Sequence, residues 1–162
     1  MSLEESEKNK RYLKMAVVCR KDLNMPTGKF GAMMCHAGKS FILPRLQLWE
    51  NKFDDVSESG ITGVVHGLKF HANKDEIQWL TELDPGLEEH GQVSMAAVIL
   101  AVNSLEELLE VEKEAEKHKL INHRVIDSGY SHNKPNTFVC LAIGPHWPEQ
   151  LQPVTGHLKR YR

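Results

Sequence analysis

Asp127, Ser128 and Gly129 close an apolar run, Val125-Ile126, and lead into Tyr130, Ser131 and His132. A strand ending this way delivers a carboxylate and hydroxyls to its own tip, where backbone turns into loop while the sheet holds it rigid. A second segment, Gly28-Lys29 followed by His36-Ala37, supplies partner groups. Lys29 stands in the first turn of an expected helix, where a cation opposes the helix dipole. An anionic ligand would explain it, with the ammonium and free backbone N–H groups converging on a phosphate or a developing oxyanion. A flexible lysine bending into solvent would explain it equally well. Asp127 reads as a general base, as the holder of a water, or as a loop cap bonded to the N–H of Gly129 or Tyr130. The functional reading requires Lys29 and Asp127 to open into one solvent-accessible hollow.

Ser131 and His132 do not make a nucleophile and base together, because adjacent residues on an extended chain point opposite ways. A triad with His36 or His157 lacks a G-x-S-x-G elbow. Nine histidines show no H-x-x-x-H, H-E-x-x-H or C-x-x-C spacing, so no metal and no cofactor are expected. Cys19, Cys35 and Cys140 sit in apolar runs and read as buried thiols in a reducing compartment.

The elements that must position these groups follow from periodicity. Residues 14–20 (KMAVVCR) form a short apolar strand. A helix runs from Gly28 to about Ile42, with Phe30, Met34, Ala37 and Phe41 as its core stripe. Lys29, Met33, His36 and Ser40 share the adjoining stripe, and Pro44 ends the helix. Residues 61–70, broken by glycines, read as a strand pair or a loop. Asn73 and Glu76 form a capping box for a helix through Leu83, stopped by Asp84-Pro85-Gly86. Residues 93–102 form a central strand. Ser104 and Glu107 cap a helix to about His118, with Leu105, Leu108, Val111 and Ala115 inward. Strands follow at 122–127 and 137–143, then a short helix at 148–153. The strand–helix–strand order around 104–118 implies parallel strands joined by a crossover.

At 162 residues, one domain with a full core is expected. No apolar run reaches 18 residues, so no membrane partner is expected. The polar opening residues predict a disordered tail over 1–12 and a cytoplasmic location. The net charge of -2 conceals an uneven distribution. Residues 8–45 carry nine Lys or Arg against one acid, and residues 156–162 add three cations. If the two regions meet in space, they form a patch that attracts polyanions.

Residues 14–20, Asp22-Leu23, Met25, Gly28-Lys29, Ala32, His36-Ala37, Asp127-Ser128-Gly129, Ile143-Gly144-Pro145 and Val154-Thr155-Gly156-His157-Leu158-Lys159 resemble the archaeal/eukaryotic-type (type 2) peptidyl-tRNA hydrolases. The Thr-Gly-His-Leu-Lys ending is the most specific of these. The resemblance implies an α/β fold, a compact single domain over 13–162 with a mixed, mainly four-stranded sheet and helices on both faces. It carries an insertion at about 50–92. It also implies hydrolysis, without metal, of the ester joining a peptide to tRNA, and a homodimer. By position it assigns Lys29, Asp127, Ser131 and His36 to catalysis, and Gly28, Tyr130, His132, Thr155, His157 and Lys159 to substrate binding. Three positions depart from the family pattern: Tyr130 for an arginine, His132 for a glutamine and Met33 for a glutamine. Such departures leave two rivals, a catalytically silent tRNA- or protein-binding module and a hydrolase of another small ester or amide.

Overall fold

The computed structural model describes residues 12–54, 62–84 and 87–162 of the chain. The expected tail over 1–12 therefore lies almost wholly outside the described residues, as does the Pro85-Gly86 stop. In chain order the elements are β1 (Lys14–Arg20), α1 (Thr27–Lys39), β2 (Gln47–Asp54), β3 (Thr62–Lys69), α2 (Lys74–Thr81), β4 (Ala97–Val102), α3 (Leu105–Lys117), β5 (Asn122–Asp127), β6 (Thr137–His146), α4 (Pro148–Thr155) and β7 (Lys159–Arg160). Two short 3-10 turns, Leu43–Arg45 and Glu88–His90, complete them.

The main sheet has five strands in the order β5-β6-β1-β4-β7. The expected four are present, and the fifth is the two-residue β7, whose Lys159 and Arg160 pair with Ala101 and Leu100. β1 and β4 are parallel, while β6 runs antiparallel to both β1 and β5. β1, β4 and β5 therefore point the same way, and α3 joins the last two as the expected crossover. Residues 61–70 form neither a strand pair nor a loop: the single strand β3 lies there and pairs with β2 in a separate antiparallel sheet, Leu48 opposite Leu68.

Alternation along β1 explains why its whole apolar run is buried. Ala16 and Val18 face one core with Leu100, Val102, Leu141 and Ile143, covered by Leu108, Val111 and Ala115 of α3 and Leu151 and Val154 of α4. Met15, Val17 and Cys19 face the other core with Val139 and Ala142, covered by Met33 and Ala37 of α1, Phe41 just beyond it and Trp79 of α2. Helices on both faces are what permit a strand without polar positions.

Local chemistry sets the helix ends. Asn73 Oδ1 accepts from Glu76 N–H and Glu76 Oε2 accepts from Asn73 N–H, closing the predicted capping box. Ser104 accepts from Glu107 N–H, but Glu107 reaches past it to the N–H of Asn103. α1 stops at Lys39, short of the predicted Ile42, because Ser40 hydroxyl and amide both bond back to the Ala37 carbonyl. Cys19 and Cys140 are buried cross-strand neighbours, whereas Cys35 is exposed, contrary to expectation. It lies two residues from both Met33 and Ala37, on the outer side of α1.

Leu108 and Leu109 separate packing from surface on one helix. Leu108 is fully buried and Leu109 is 39 % exposed. Leu108→Ala should destabilise the protein by about 3 kcal/mol, and Leu109→Ala by less than about 1 kcal/mol. Urea unfolding of both variants checks the contrast.

Candidate active site

The shared direction of β1, β4 and β5 brings their C-terminal ends to one edge of the sheet. That edge collects Arg20 and Lys21, Asn103, Asp127, the first residue of β6 and the first residue of β7. Ends of parallel strands in an open sheet are where ligands bind.

Plain alternation along β5 aims Asp127 inward, on the side of Val125, and a bulge lies opposite it in β6. The β6 partner steps from Cys140, opposite Val125, to Phe138, opposite Ile126, leaving Val139 as the extra residue. Asp127 is 2 % exposed while Ile126 is exposed. Lys29 crosses from the first turn of α1, and its Nζ donates to Asp127 Oδ1 at 2.8 Å. The lysine side chain retains 15 % exposure. The same Oδ1 accepts from Gly129 N–H at 3.0 Å, and Asn133 Nδ2 donates to Oδ2 at 2.9 Å. Burial alone would push the Asp127 carboxyl up. The bonds from Lys29, Gly129 and Asn133 outweigh it and hold the group below its ordinary value. The loop-cap reading of Asp127 holds, and Lys29 lies beside it as expected, but as a direct ion pair with a buried carboxylate rather than as two groups opening into a hollow.

The loop after β5 is folded back on itself. Gly129 has φ +84, and a Cβ there would collide with the backbone of Pro135. His132 Nε2 lies 2.9 Å from the Leu23 carbonyl, which accepts from it, and this ties the loop to the β1–α1 connection. The N-terminus of α1 has no side-chain cap and no acid in its first turn, and Gly28 faces open space. Free N–H groups therefore remain beside the Lys29–Asp127 pair.

The other predicted residues divide. Tyr130 is 95 % exposed, and Ser131 is exposed with no bond to the pair. His36 lies seven residues beyond Lys29, about 10 Å along the helix, exposed and not bonded to the pair. Thr155 is buried at the end of α4, and its hydroxyl donates to the Leu151 carbonyl, so it does not face a ligand. His157 and Lys159 line a hollow of about 680 Å3 with Lys21, Arg160 and Arg162. Here the two basic regions of the sequence do meet. The one acid lining it, Glu107, has Oε2 engaged by Asn103. Lys21 also lies over Tyr161, which stacks on Phe30 of α1.

Asn133 was not anticipated. Its position six residues after Asp127 carries no local signal, and only the fold-back at Gly129 returns it to the carboxylate. Arg160 and Arg162 were visible as charge but not as part of a hollow. No cluster of three or more metal-ligating side chains occurs among the described residues. No helix among them is long and apolar enough to cross a membrane.

A family profile described as "Peptidyl-tRNA hydrolase PTH2" matches residues 13–161. Curated relatives named "Peptidyl-tRNA hydrolase" include that of Thermoplasma acidophilum, 28% identical over 147 residues, covering 90% of this chain and 96% of the relative. The protein of Nanoarchaeum equitans is 28% identical over 151 residues, covering 92% and 99%. That of Methanothermobacter thermautotrophicus is 28% identical over 147 residues, covering 91% and 98%.

The low Asp127 carboxyl has a consequence for stability against pH. Its contribution is complete above the unfolded value, near 3.9, and is lost as pH falls through the lower folded value. Asp127→Asn should therefore destabilise the protein at neutral pH and progressively less below about pH 4. Urea unfolding of both proteins across that range measures the gap, and a constant gap would refute the linkage.

Proposed function

The chain belongs to the peptidyl-tRNA hydrolase PTH2 family, and we propose that Lys29 and Asp127 are the groups with which it works. It is a hydrolase of peptidyl-tRNA. Water adds to the ester carbonyl, the bond to the ribose oxygen breaks, and a peptide acid and free tRNA leave. The family match favours turnover over a silent binding module or a hydrolase of another ester.

The observation that carries the site is the 2.8 Å contact between Lys29 and Asp127 at the tip of β5. Asp127 is held ionised and well solvated by protein donors, which makes it a weak base. Its role is to fix the ammonium, the member of the pair that retains exposure and meets the substrate. The Lys29 ammonium and the open N–H groups of α1 stabilise the tetrahedral oxyanion. The water's hydrogen ends on the ribose oxygen as the acyl–oxygen bond breaks. His132 keeps its loop seated on Leu23, and Gly28 leaves the helix start open to the substrate. Ser131, Tyr130 and His36 lie exposed, where they can touch substrate but do not orient the pair.

The cationic hollow supports tRNA binding. Lys21, Lys159, Arg160 and Arg162 are not ion-paired among the described residues, so their charge is available to phosphates. β4, which floors it, lies three strand spacings from β5, about 14 Å, a distance the end of a tRNA spans. The same reading takes residues 13–162 as one hydrolase domain with about 50–92 as an insertion. It places the protein in the cytoplasm as a homodimer; gel filtration with light scattering tests that state.

Lys29→Ala and Asp127→Asn should each slow cleavage of N-acetyl-aminoacyl-tRNA by about 100-fold or more. Wild-type rate in either variant would remove that residue from the mechanism. Lys159→Ala and Arg160→Ala should instead weaken tRNA binding and each lower the slope of log affinity against log salt by roughly 1. Filter binding at several salt concentrations reads this.

A further inference from the structure

A second hollow, of about 710 Å3, opens at the β5–β6–β1 end of the same sheet edge. Its lining combines apolar side chains with charges that are mostly matched, Lys134 being the cation without an ion-pair partner among the described residues. Leu23, Leu105, Leu109 and Phe138 form its apolar part. Two guanidinium groups also line it, but both are spent inside the protein. Arg20 makes a two-pronged pair with Asp22, at 2.6 and 3.1 Å, and also donates to the Phe138 carbonyl. Arg124 pairs with Glu112 through two bonds of 2.6 Å. Charge that is already matched adds little attraction for phosphate.

Asn133 connects this hollow to the reacting groups. It lines the hollow, and the same side chain donates to Asp127 Oδ2. Leu109 adds a further sign. It is a large apolar side chain left 39 % exposed on α3, one turn after Leu105 on the same side of that helix.

Given that the protein cleaves peptidyl-tRNA, its substrate has two chemically unlike halves meeting at one ester. We propose that the 710 Å3 hollow is the acyl subsite. It receives the side chain of the amino acid next to the scissile ester, with preference for apolar and aromatic residues. Leu109, Leu105 and Leu23 form its contact surface, and Asn133 links that surface to Asp127. The tRNA half lies toward the Lys21–Arg162 hollow. Four unpaired cations gather at one end of the edge, and the apolar side chains, with Lys134 beside them, at the other, so the fold favours one orientation of the substrate.

The test uses tRNA carrying N-acetyl-phenylalanine through a 3′-amide, which is not cleaved, alongside uncharged tRNA. Wild-type protein should hold the amide-linked analogue about tenfold more tightly than uncharged tRNA. Leu109→Asp should abolish that margin while leaving affinity for uncharged tRNA within about twofold. The milder Leu109→Ser should reduce the margin in smaller measure. A margin that survives Leu109→Asp overturns the proposal, as does an absent margin in the wild type. A parallel fall in affinity for uncharged tRNA also overturns it, because the hollow would then hold RNA. Cleavage of the ester substrate in the same preparation tests the activity separately, so the subsite and the reaction stand or fall on different readings.

Discussion

Everything at the active edge depends on a buried carboxylate keeping its charge. Asp127 is almost inaccessible to water, and an ion removed from water is tolerated only when protein groups replace its hydration. Three donors do so: an ammonium from α1, a backbone amide two residues on and an amide side chain from the returning loop. One comes from α1 and two from the loop after β5, so the carboxylate acts as the point where helix and loop are registered. Lys29 gains as well, since its place in the first turn of a helix is unfavourable by about 0.3–1 kcal/mol without a compensating anion. Buried ion pairs add little net stability compared with apolar packing. The value of this one lies in geometry, an ammonium held in one place beside open helix N–H groups.

The sheet turns that local geometry into a working edge. Three strands of common direction end together, and the antiparallel β6 and β7 begin there, so five strand termini share one rim. The two cores, one on each face, leave the rim as the place where polar groups can project without disturbing packing. A chain with net charge near neutrality thus presents a cationic end and an apolar end on the same side. The acids that balance the sum are elsewhere or are consumed in pairs such as Glu112–Arg124 and Glu76–Arg45.

Much of the scaffold was legible in the residues because its rules are local. The apolar run 14–20, the 122–127 strand and the Asn73–Glu76 capping box each carry their own signal, and each forms as read. β7 was missed because two residues have no period, and only pairing with β4 makes them a strand. Cys35 misled because it lies among apolar neighbours in sequence but on the outer side of a helix in space. The pairing of Lys29 with Asp127 was legible as two strategic ends, one of a helix and one of a strand. Asn133 was not, because a loop closed by a positive-φ glycine against a proline is a tertiary fact.

The two members of the ion pair are separated by 98 residues, and the cations of the 680 Å3 hollow come from both ends of the described chain. Bonds of such long range form late, since loop closure must precede them. During synthesis the ammonium therefore emerges well before the carboxylate that will fix it, and Lys159, Arg160 and Arg162 follow later still. A half-made copy has neither a charged partner for Lys29 nor the cations that complete the hollow.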